Sequence, residues 1–289
     1  MKKWLRRIVQ GVLLMIMAFS LLEIGDYFYE RYKSDQAFNA INKEVGDLVR
    51  TEAVSDAGAQ VVAAEEEKEP AVDYEALMAR LKEINDDVVA YIDIKGSENR
   101  YPVVQSDDND YYLRRGMDKE YSLQGTPFMD FRNQPNLMDQ NTILYAHMMN
   151  YGDAMFGIFR HYLEQDYVDQ QPKTFTLATQ EGVYTYRMFS LQHVWATDPY
   201  RIPNQEDDAF VEDLVVDYAQ SEVDFGYASD ISPKDRVVTL STCTTDHDDE
   251  KRIAVVGVLT QVETKKGVTT REEVLGGGAD LTWESAIKR

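Results

Sequence analysis

Eight short runs of β-branched and aromatic residues, separated by turn residues, set narrow limits on the fold of this chain. The runs are Val88–Ile94, Tyr101–Gln105, Thr126–Phe131, Thr142–His147, Thr174–Thr179, Val183–Trp195, Val237–Thr242 and Ile253–Val262. Runs of this length and composition favour strands, and eight of them at this density predict a closed or nearly closed β-barrel. Two helical insertions, Asp153–Tyr162 and Gln205–Ala219, are expected to interrupt it. The expected fold class is therefore mainly β with helical insertions.

The N-terminus carries an apolar run that follows a cluster of positive charge. Ile8–Ile24 is nearly all apolar, and a helix of that length spans roughly 26 Å, a little less than the ~30 Å hydrocarbon core of a bilayer. The basic residues before it are Lys2, Lys3, Arg6 and Arg7. Positive charge on this side of the apolar run predicts that the N-terminus lies inside the cell and that the chain lies outside it from about residue 25. A cleaved signal peptide is the competing interpretation, but no Ala-x-Ala-like site follows, so we expect an uncleaved single-pass membrane anchor.

The segment between the apolar run and the predicted barrel has two parts. Residues 27–50 place apolar side chains three or four positions apart, which predicts a helix that either packs on the domain or stands as a stalk. Residues 51–70 are rich in Ala and Glu, as in a tether. The expected organisation is a basic segment 1–7, an anchor 8–28, a helical stalk and acidic linker 29–72, a folded domain 73–262 and a polar tail 263–289.

A formal net charge of −21 limits the partners of this chain. Nucleic-acid phosphates require clustered positive charge, so no nucleic acid is expected as a partner. A single cysteine cannot form an intramolecular disulfide, and the sequence has no Cys/His spacing typical of zinc. The acidic run Asp246–Glu250 lacks the alternating ligands and the glycine of a calcium loop, which favours a solvated loop. We expect neither a metal nor a cofactor.

The single cysteine, Cys243, ends one predicted strand, and Arg252 precedes the next. A lone cysteine is most often a small buried hydrophobic residue. The residues around this sulfur, however, are polar: Ser241, Thr242, Thr244 and Thr245. If the two strands are neighbours, their ends bring the thiol beside the guanidinium, and a fixed positive charge stabilises a thiolate nucleophile. Cys243 and Arg252 are therefore candidate catalytic residues.

Among the four histidines, His147 is the strongest candidate for a chemical role. It follows the apolar run Ile143–Tyr145, although a strand-end histidine is more often a structural hydrogen-bonding residue. His161 lies on a predicted helix and His193 within a predicted strand, without reactive neighbours. His247 lies close after the cysteine, but the carboxylates around it favour its protonated form over one that takes up a proton.

Four motifs accompany these residues in a fixed order. They are Pro127–Asn133, Asn141–His147, Met155–Gly157 and Thr-Leu-Ser-Thr-Cys at 239–243, followed by Arg252 at the start of the next strand. Together they resemble the class B branch of the sortases, the cysteine transpeptidases of Gram-positive surfaces, over roughly residues 73–262. The resemblance implies an eight-stranded barrel with a helix between the sixth and seventh strands. It also implies that Cys243, His147 and Arg252 form the catalytic set.

The resemblance implies acyl transfer through a thioester on Cys243. A free thiol titrates at about 8.5 and an imidazole at about 6.5, so near neutral pH part of the enzyme holds a thiolate with an imidazolium. The thiolate attacks a peptide carbonyl, and His147 protonates the leaving amine. Arg252 either steadies the oxyanion or orients the substrate backbone. An incoming amine then converts the thioester into a new amide.

The resemblance also implies substrate contacts at five positions: Asn109, Leu113, Tyr200, Ile202 and Ser241. For each position, ordinary packing or loop solvation is the alternative. The implied substrates are surface proteins with a C-terminal sorting signal of the Asn-Pro-x-Thr or Leu-Pro-x-Thr kind. The acceptor amine belongs either to the peptidoglycan precursor or to a pilin lysine, and the sequence does not choose between them. A non-catalytic surface scaffold or adhesin is the alternative from another functional class.

Two positions depart from the family pattern. Ala146 stands where a glycine usually precedes the histidine, which narrows the room beside the ring. Thr245 stands where some class B members carry an acid. Asp246 either substitutes for that acid or belongs to the solvated loop.

Overall fold

The computed structural model describes residues 3–46, 48, 73–149, 152–204, 221–226, 231–232, 234–243, 250–277 and 281–288. The strands are β1 (Val88–Ile94), β2 (Arg100–Val104), β3 (Phe128–Met129), β4 (Asn141–Tyr145), β5 (Thr174–Ala178), β6 (Val183–Trp195), β7 (Val237–Cys243), β8 (Lys251–Thr264) and β9 (Gly267–Thr270). The α-helices are α1 (Lys3–Val45), α2 (Tyr74–Ile84), α3 (Gln165–Gln170) and the short C-terminal helices Arg271–Gly276 and Trp283–Ile287. Shorter 3-10 helices cover Tyr111–Arg114, Gly157–Leu163 and Pro199–Arg201. The linker 51–70, the predicted helix 205–219 and His247 lie outside the described residues.

The sheet closes into a barrel. Its strands follow the order β6-β5-β1-β2-β3-β4-β7-β8, and β8 pairs back onto β6 along most of the length of β6. The ninth strand, β9, adds to the end of β8 outside this ring. The eight-stranded barrel predicted from the sequence is confirmed, and β1 and β6 have the predicted bounds.

Two strand pairs in the barrel run parallel, and they determine which strand ends meet. β2 pairs with β3, and β4 pairs with β7 from Asn141 opposite Val237 to Tyr145 opposite Ser241. Both strands of a parallel pair run in the same direction, so their C-terminal ends lie at the same edge of the sheet. The residues that follow Tyr145 and Ser241 therefore emerge at one rim of the barrel.

Two predicted elements differ from the observed ones. Within the predicted strand Thr126–Phe131 only β3 forms, because the N–H and hydroxyl of Thr126 are bonded to the 112–115 segment instead. The helix predicted over Asp153–Tyr162 is a 3-10 helix, Gly157–Leu163, followed by α3. Met155 has a φ of 59°, in the left-handed region, so a right-handed helix cannot pass through it.

The core has an inner and an outer layer. Inside the barrel, β6 contributes Tyr184, Tyr186 and Met188 from alternate positions, as the pleat of a strand requires. The outer layer is a smaller buried cluster on the other face of β7 and β8: Phe189, Val194, Tyr200, Val237, Ala254, Val256 and Val258. Because of this second layer, β7 is buried on both faces up to its last residue. The cluster also holds the Pro199–Arg201 turn against the barrel.

Helix α1 has two different surroundings along its length. Its N-terminal part is exposed, with Leu14 at 60% and Leu22 at 67% exposure. By length and composition this helix is capable of crossing a membrane. Its C-terminal part packs on the domain core through the buried side chains of Phe38, Ile41 and Val45. Of the two arrangements that the sequence left open, the structure shows packing on the domain.

The described residues of the polar tail 263–289 also pack on the core. Val274 and Trp283 are fully buried. Each of the two short helices begins with a capping box, which satisfies its first N–H groups. Arg271 forms a buried ion pair with Asp235, with Nη2 and Oδ2 2.7 Å apart. The tail is therefore part of the packed structure, a role that its sequence did not indicate.

Candidate active site

Cys243 and Arg252 are paired at one rim of the barrel. Cys243 is the last residue of β7, and its register partner on the antiparallel strand β8 is Arg252. Directly paired residues of such a ladder present their side chains on the same face, with Cα atoms about 4.5–5.5 Å apart. Cys243 is half-buried, whereas the residues before it on β7 are buried. The structure thus brings the two strand ends together, as the sequence predicts.

The parallel pairing of β4 and β7 brings His147 to the same rim. Tyr145 lies opposite Ser241, and the N–H of Ala146 donates to the Ser241 carbonyl oxygen at 3.3 Å. Because the strands run in the same direction, His147 and Cys243 each follow this pair by two residues. The two side chains line one cleft.

The imidazole of His147 is held by a backbone carbonyl. Its Nε2 lies 2.8 Å from the carbonyl oxygen of Leu113. A carbonyl oxygen only accepts hydrogen bonds, so Nε2 carries a proton and Nδ1 is the nitrogen left to take up or release one. Burial lowers the pKa of His147 from its ordinary 6.5, the bond to Leu113 opposes this shift, and the charge of Arg114 adds to it. At neutral pH the ring is therefore mainly neutral.

The other two histidines in the described part of the chain lie in exposed pairs. Nε2 of His161 is 2.9 Å from a carboxylate oxygen of Asp153, and Nδ1 of His193 is 2.9 Å from one of Glu222. Neither histidine lines the cleft beside Cys243. Both therefore lie outside the cleft that holds His147.

A cleft of about 240 Å³ opens beside the thiol. Its lining residues are Asn109, Asp110, Leu113, Phe128, Tyr145, Ala146, His147, Tyr200, Arg201, Ser241, Thr242, Cys243 and Arg252. Seven of the eight residues predicted for catalysis or substrate contact are among them. The exception is Ile202, which packs against the outer cluster and whose carbonyl oxygen accepts from Asn141 Nδ2 at 3.2 Å. A substrate contact at Ile202 stays a prediction.

Similarity to known proteins identifies the family of this chain. Residues 92–260 match the sequence profile of the Sortase domain. Over 262 residues the chain is 32% identical to sortase B of Listeria monocytogenes, and the match covers 89% of this chain and 98% of that protein. The chain belongs to the sortase family, in its class B branch.

Solved sortase structures have the same fold. Sortase B of Staphylococcus aureus in complex with substrate superposes with a TM-score of 0.63 at 25% identity, covering 80% of this chain and 96% of that one. A class B sortase of Streptococcus pyogenes involved in pilus biogenesis gives a TM-score of 0.54 at 29% identity, covering 63% of this chain and 96% of that one. As a member of this family, the present chain is a cysteine transpeptidase.

The polar side chains that line the cleft carry a thiol, an imidazole, two guanidinium groups, one carboxylate, one amide and several hydroxyl groups. Among the described residues, no group of three or more His, Cys, Asp or Glu side chains is placed to hold a metal ion. Ala146 is buried and lines the same cleft as His147. Thr245 and Asp246 lie outside the described residues.

Asp130 organises one wall of the cleft in this sortase, although it was not among the residues predicted from the sequence. It is fully buried and accepts from Arg132 Nη2 at 2.7 Å, Tyr145 OH at 2.9 Å and Asn109 Nδ2 at 3.0 Å. Burial opposes ionisation, but Arg132 and these hydrogen bonds outweigh it and hold the pKa of Asp130 below its ordinary 3.8. The available signal was the Asp-x-Arg pair within an apolar motif, because a buried carboxylate needs a cationic partner.

Another wall of the cleft is held by a pair of hydroxyl groups. Tyr200 OH and Ser241 Oγ are 3.0 Å apart, and both residues are buried. Burial raises the pKa of Tyr200, so its phenol stays protonated at neutral pH. The next residue, Arg201, is a second lining residue that sequence reasoning missed, and its carbonyl oxygen accepts from Arg132 Nη2 at 2.7 Å. This last bond joins the two walls.

Proposed function

We propose that this sortase cleaves a C-terminal sorting signal through a thioester on Cys243 and transfers the protein to an amine of the cell-wall precursor. The observation that carries the proposal is the pairing of Cys243 with Arg252 at the rim that also holds His147. Cys243 is the only cysteine of the chain, so no other residue can form the thioester of a cysteine transpeptidase. The signal is of the Asn-Pro-x-Thr or Leu-Pro-x-Thr kind.

The reaction has two halves in this proposal. The Cys243 thiolate attacks the carbonyl carbon of the scissile bond, the C–N bond breaks, and the leaving amine takes a proton from the His147 imidazolium. Nδ1 supplies this proton because Nε2 is engaged by the Leu113 carbonyl. In the second half an acceptor amine attacks the thioester and gives its proton to Nδ1. The C–S bond then breaks and releases the thiolate.

Arg252 has two candidate roles. Arg252 lines the same cleft as Cys243, and its Nη1 donates to the Lys251 carbonyl oxygen at 2.6 Å. As an oxyanion donor it would contribute about 10²–10³-fold to the rate. As a guide for the substrate backbone it would act on KM instead.

Four of the side chains predicted to contact substrate surround the cleft in positions suited to a bound peptide. They are Asn109, Leu113, Tyr200 and Ser241. They combine an amide and two hydroxyls with an apolar side chain, and such mixed walls orient a peptide while burying its apolar groups. We retain Ile202 as a fifth contact, which a bound signal would have to reach at the edge of the outer cluster.

We infer that α1 anchors the enzyme in the cell membrane with the domain outside. The support is the exposed apolar part of α1 and the basic residues that precede it. A second acceptor, a pilin lysine, is favoured by the similarity to the Streptococcus pyogenes class B sortase involved in pilus biogenesis. In either case the enzyme acts on surface proteins.

The test uses the full chain in detergent with two peptide series, Asn-Pro-x-Thr and Leu-Pro-x-Thr. Intact-protein mass spectrometry should detect a thioester adduct on the wild type and none on Cys243→Ala. His193→Ala, which changes a histidine outside the cleft, should form the adduct as the wild type does. With acceptors added, a product with an N-terminal glycine amine supports cell-wall transfer, and a product with a lysine side chain supports pilin joining.

The proposal fails if no peptide forms an adduct and a methanethiosulfonate reagent modifies Cys243 no faster than free cysteine at pH 7. It also fails if His147→Ala leaves that rate unchanged. Those results would favour a barrel that binds surface proteins without transferring them.

A further inference from the structure

Helix α1 makes polar contacts to the turn Ser122–Gly125. Ser34 Oγ lies 2.9 Å from Ser122 Oγ in a buried hydrogen bond. One step further along the helix, Asp35 Oδ1 accepts from Gln124 Nε2 at 2.8 Å. This turn is therefore held by two consecutive residues of a helix whose other end is the candidate membrane anchor.

The same turn lies directly against the carbonyl group that holds His147. Gly125 has a φ of 65°, and a Cβ built there would lie 2.6 Å from the Leu113 carbonyl oxygen. The N–H of Thr126, the next residue, donates to the Tyr112 carbonyl oxygen at 3.1 Å. The Leu113 carbonyl oxygen is thus packed against the turn and bonded to the imidazole. We therefore expect a shift of the turn to move the acceptor of the His147 hydrogen bond.

A second path joins α1 to the loop after His147. The ring of Phe38 packs edge-on against Tyr101, with centroids 5.3 Å apart. Tyr101 OH in turn accepts from the N–H of Met155 at 3.0 Å. Met155 forms a β-bridge with Met148, the residue that follows His147. The helix therefore contacts both the turn that lies against the Leu113 carbonyl and, through Tyr101, the loop that follows His147.

We propose that residues 31–38 of α1 position the His147 imidazole, through the Ser122–Gly125 turn and through the loop that follows His147. Among the described residues, the charged groups that line the cleft or act on His147 are Asp110, Arg114, Arg201 and Arg252. None of these charged groups lies on α1. The helix therefore acts on His147 through the position of the imidazole ring and not through a charge beside it. The proposal rests on the proposed function only for the use of His147 in proton transfer.

Two carboxylates of α1 form a matched pair for the test. The side chains of Asp35 and Glu44 are 39% and 42% exposed, and both contact the domain. Asp35 accepts from the turn, whereas Glu44 accepts from Arg80 on α2, which does not line the cleft. Asp35→Ala and Glu44→Ala therefore each remove one carboxylate of α1 and its contact to the domain. Asp35→Ala also removes the ion pair within the helix to Arg31, in which Nε and Oδ2 are 3.8 Å apart. Asp35→Asn removes the charge but keeps an oxygen that accepts from Gln124.

The experiment follows the full chain in detergent by two readouts, the NMR titration of the His147 ring and the kinetics of thioester formation. The His147 signal is assigned by its loss in His147→Ala. In Asp35→Ala we expect the titration midpoint to move to lower pH, because a weaker bond to the Leu113 carbonyl disfavours the imidazolium. We also expect kcat to fall about fivefold or more with little change in KM, since the ring is misplaced rather than the substrate.

Glu44→Ala and Asp35→Asn should keep the wild-type midpoint and kcat. Gln124→Ala removes the same hydrogen bond from the other side and should shift the midpoint in the same direction as Asp35→Ala. The proposal is overturned if Asp35→Ala leaves both the midpoint and kcat unchanged. It is also overturned if Glu44→Ala changes them as much as Asp35→Ala does, since the packing of α1 on the domain as a whole would then be the cause. Because the NMR midpoint is measured without substrate, it reports on positioning even if no peptide forms a thioester.

Discussion

The side-chain amide of Asn109 is held at both ends by the residues that follow β3. Its Nδ2 donates to Asp130 Oδ2 at 3.0 Å, and its Oδ1 accepts from the N–H of Phe131 at 3.1 Å. Arg132 and Tyr145 bond to the same buried carboxylate. The orientation of the Asn109 amide in the cleft is therefore set before substrate arrives, which lowers the entropy cost of binding.

We expect Asp130→Asn to lower the free energy of unfolding by about 2 kcal/mol at neutral pH, because Arg132 and Tyr145 lose a charged partner. The pKa of Asp130 lies below 3.8 in the folded protein. Its stabilising contribution is therefore fully present above the unfolded value and is lost as the pH falls through the folded value. Urea unfolding should show a constant deficit of the variant from pH 5 to 7 that shrinks below about pH 4. A deficit that grows on acidification would contradict this assignment.

Gly125→Ala should destabilise the enzyme much more than Gly226→Ala. Both glycines have nearly the same φ, 65° and 64°. A Cβ at Gly125 would lie 2.5 Å from the Tyr112 carbonyl oxygen, whereas the nearest atom at Gly226 is Lys173 Nζ at 3.8 Å. The second substitution costs only backbone strain, about 1 kcal/mol, and the first adds a collision with backbone, for a total of about 3 kcal/mol or more. Thermal unfolding of the two variants checks this difference. An equal loss of stability in both variants would contradict it.

Tyr200→Phe should raise KM for the sorting peptide with a smaller effect on kcat. The substitution keeps the buried ring and removes only the hydroxyl that bonds Ser241 Oγ at 3.0 Å. A buried hydroxyl left without its partner costs about 1–3 kcal/mol, which loosens this wall of the cleft. Because burial raises the pKa of Tyr200, the difference between variant and wild type should be constant from pH 6 to 9. Unaltered peptide kinetics in this variant would remove Tyr200 from the binding site.

Arg252→Lys should slow thioester formation by about 10²-fold or more, because lysine keeps the charge but loses the planar set of donors. Arg187→Lys is the matched control, since Arg187 is also a half-buried arginine of a barrel strand but does not line the cleft. Pre-steady-state measurement of the adduct separates this step from transfer to the amine. A variant that raises KM without slowing thioester formation would assign Arg252 to orientation of the substrate backbone. Similar rates for both variants would argue against any direct role.

Features encoded by neighbouring residues were predictable from the sequence. The runs of β-branched and aromatic residues and the apolar run at the N-terminus are local patterns, so the barrel strands and the candidate anchor could be recognised. The same holds for Cys243 and Arg252, because two strands joined by a short loop tend to pair. Ile202 shows the limit of this reasoning, since it follows Tyr200 by only two residues but packs against the outer cluster instead of lining the cleft.

Contacts between distant segments were decided only by the tertiary structure. No local pattern shows that Asp130 holds Asn109, that Trp283 of the tail is buried, or that Leu113 offers its carbonyl to His147. The apolar stripe of α1 was equally compatible with a free stalk, because its burial depends on a complementary surface elsewhere in the chain. The sequence by itself thus determined the strands, the apolar helix and the reactive side chains. The closed barrel determined which of them meet, because only long-range pairing fixes the distances on which their chemistry depends.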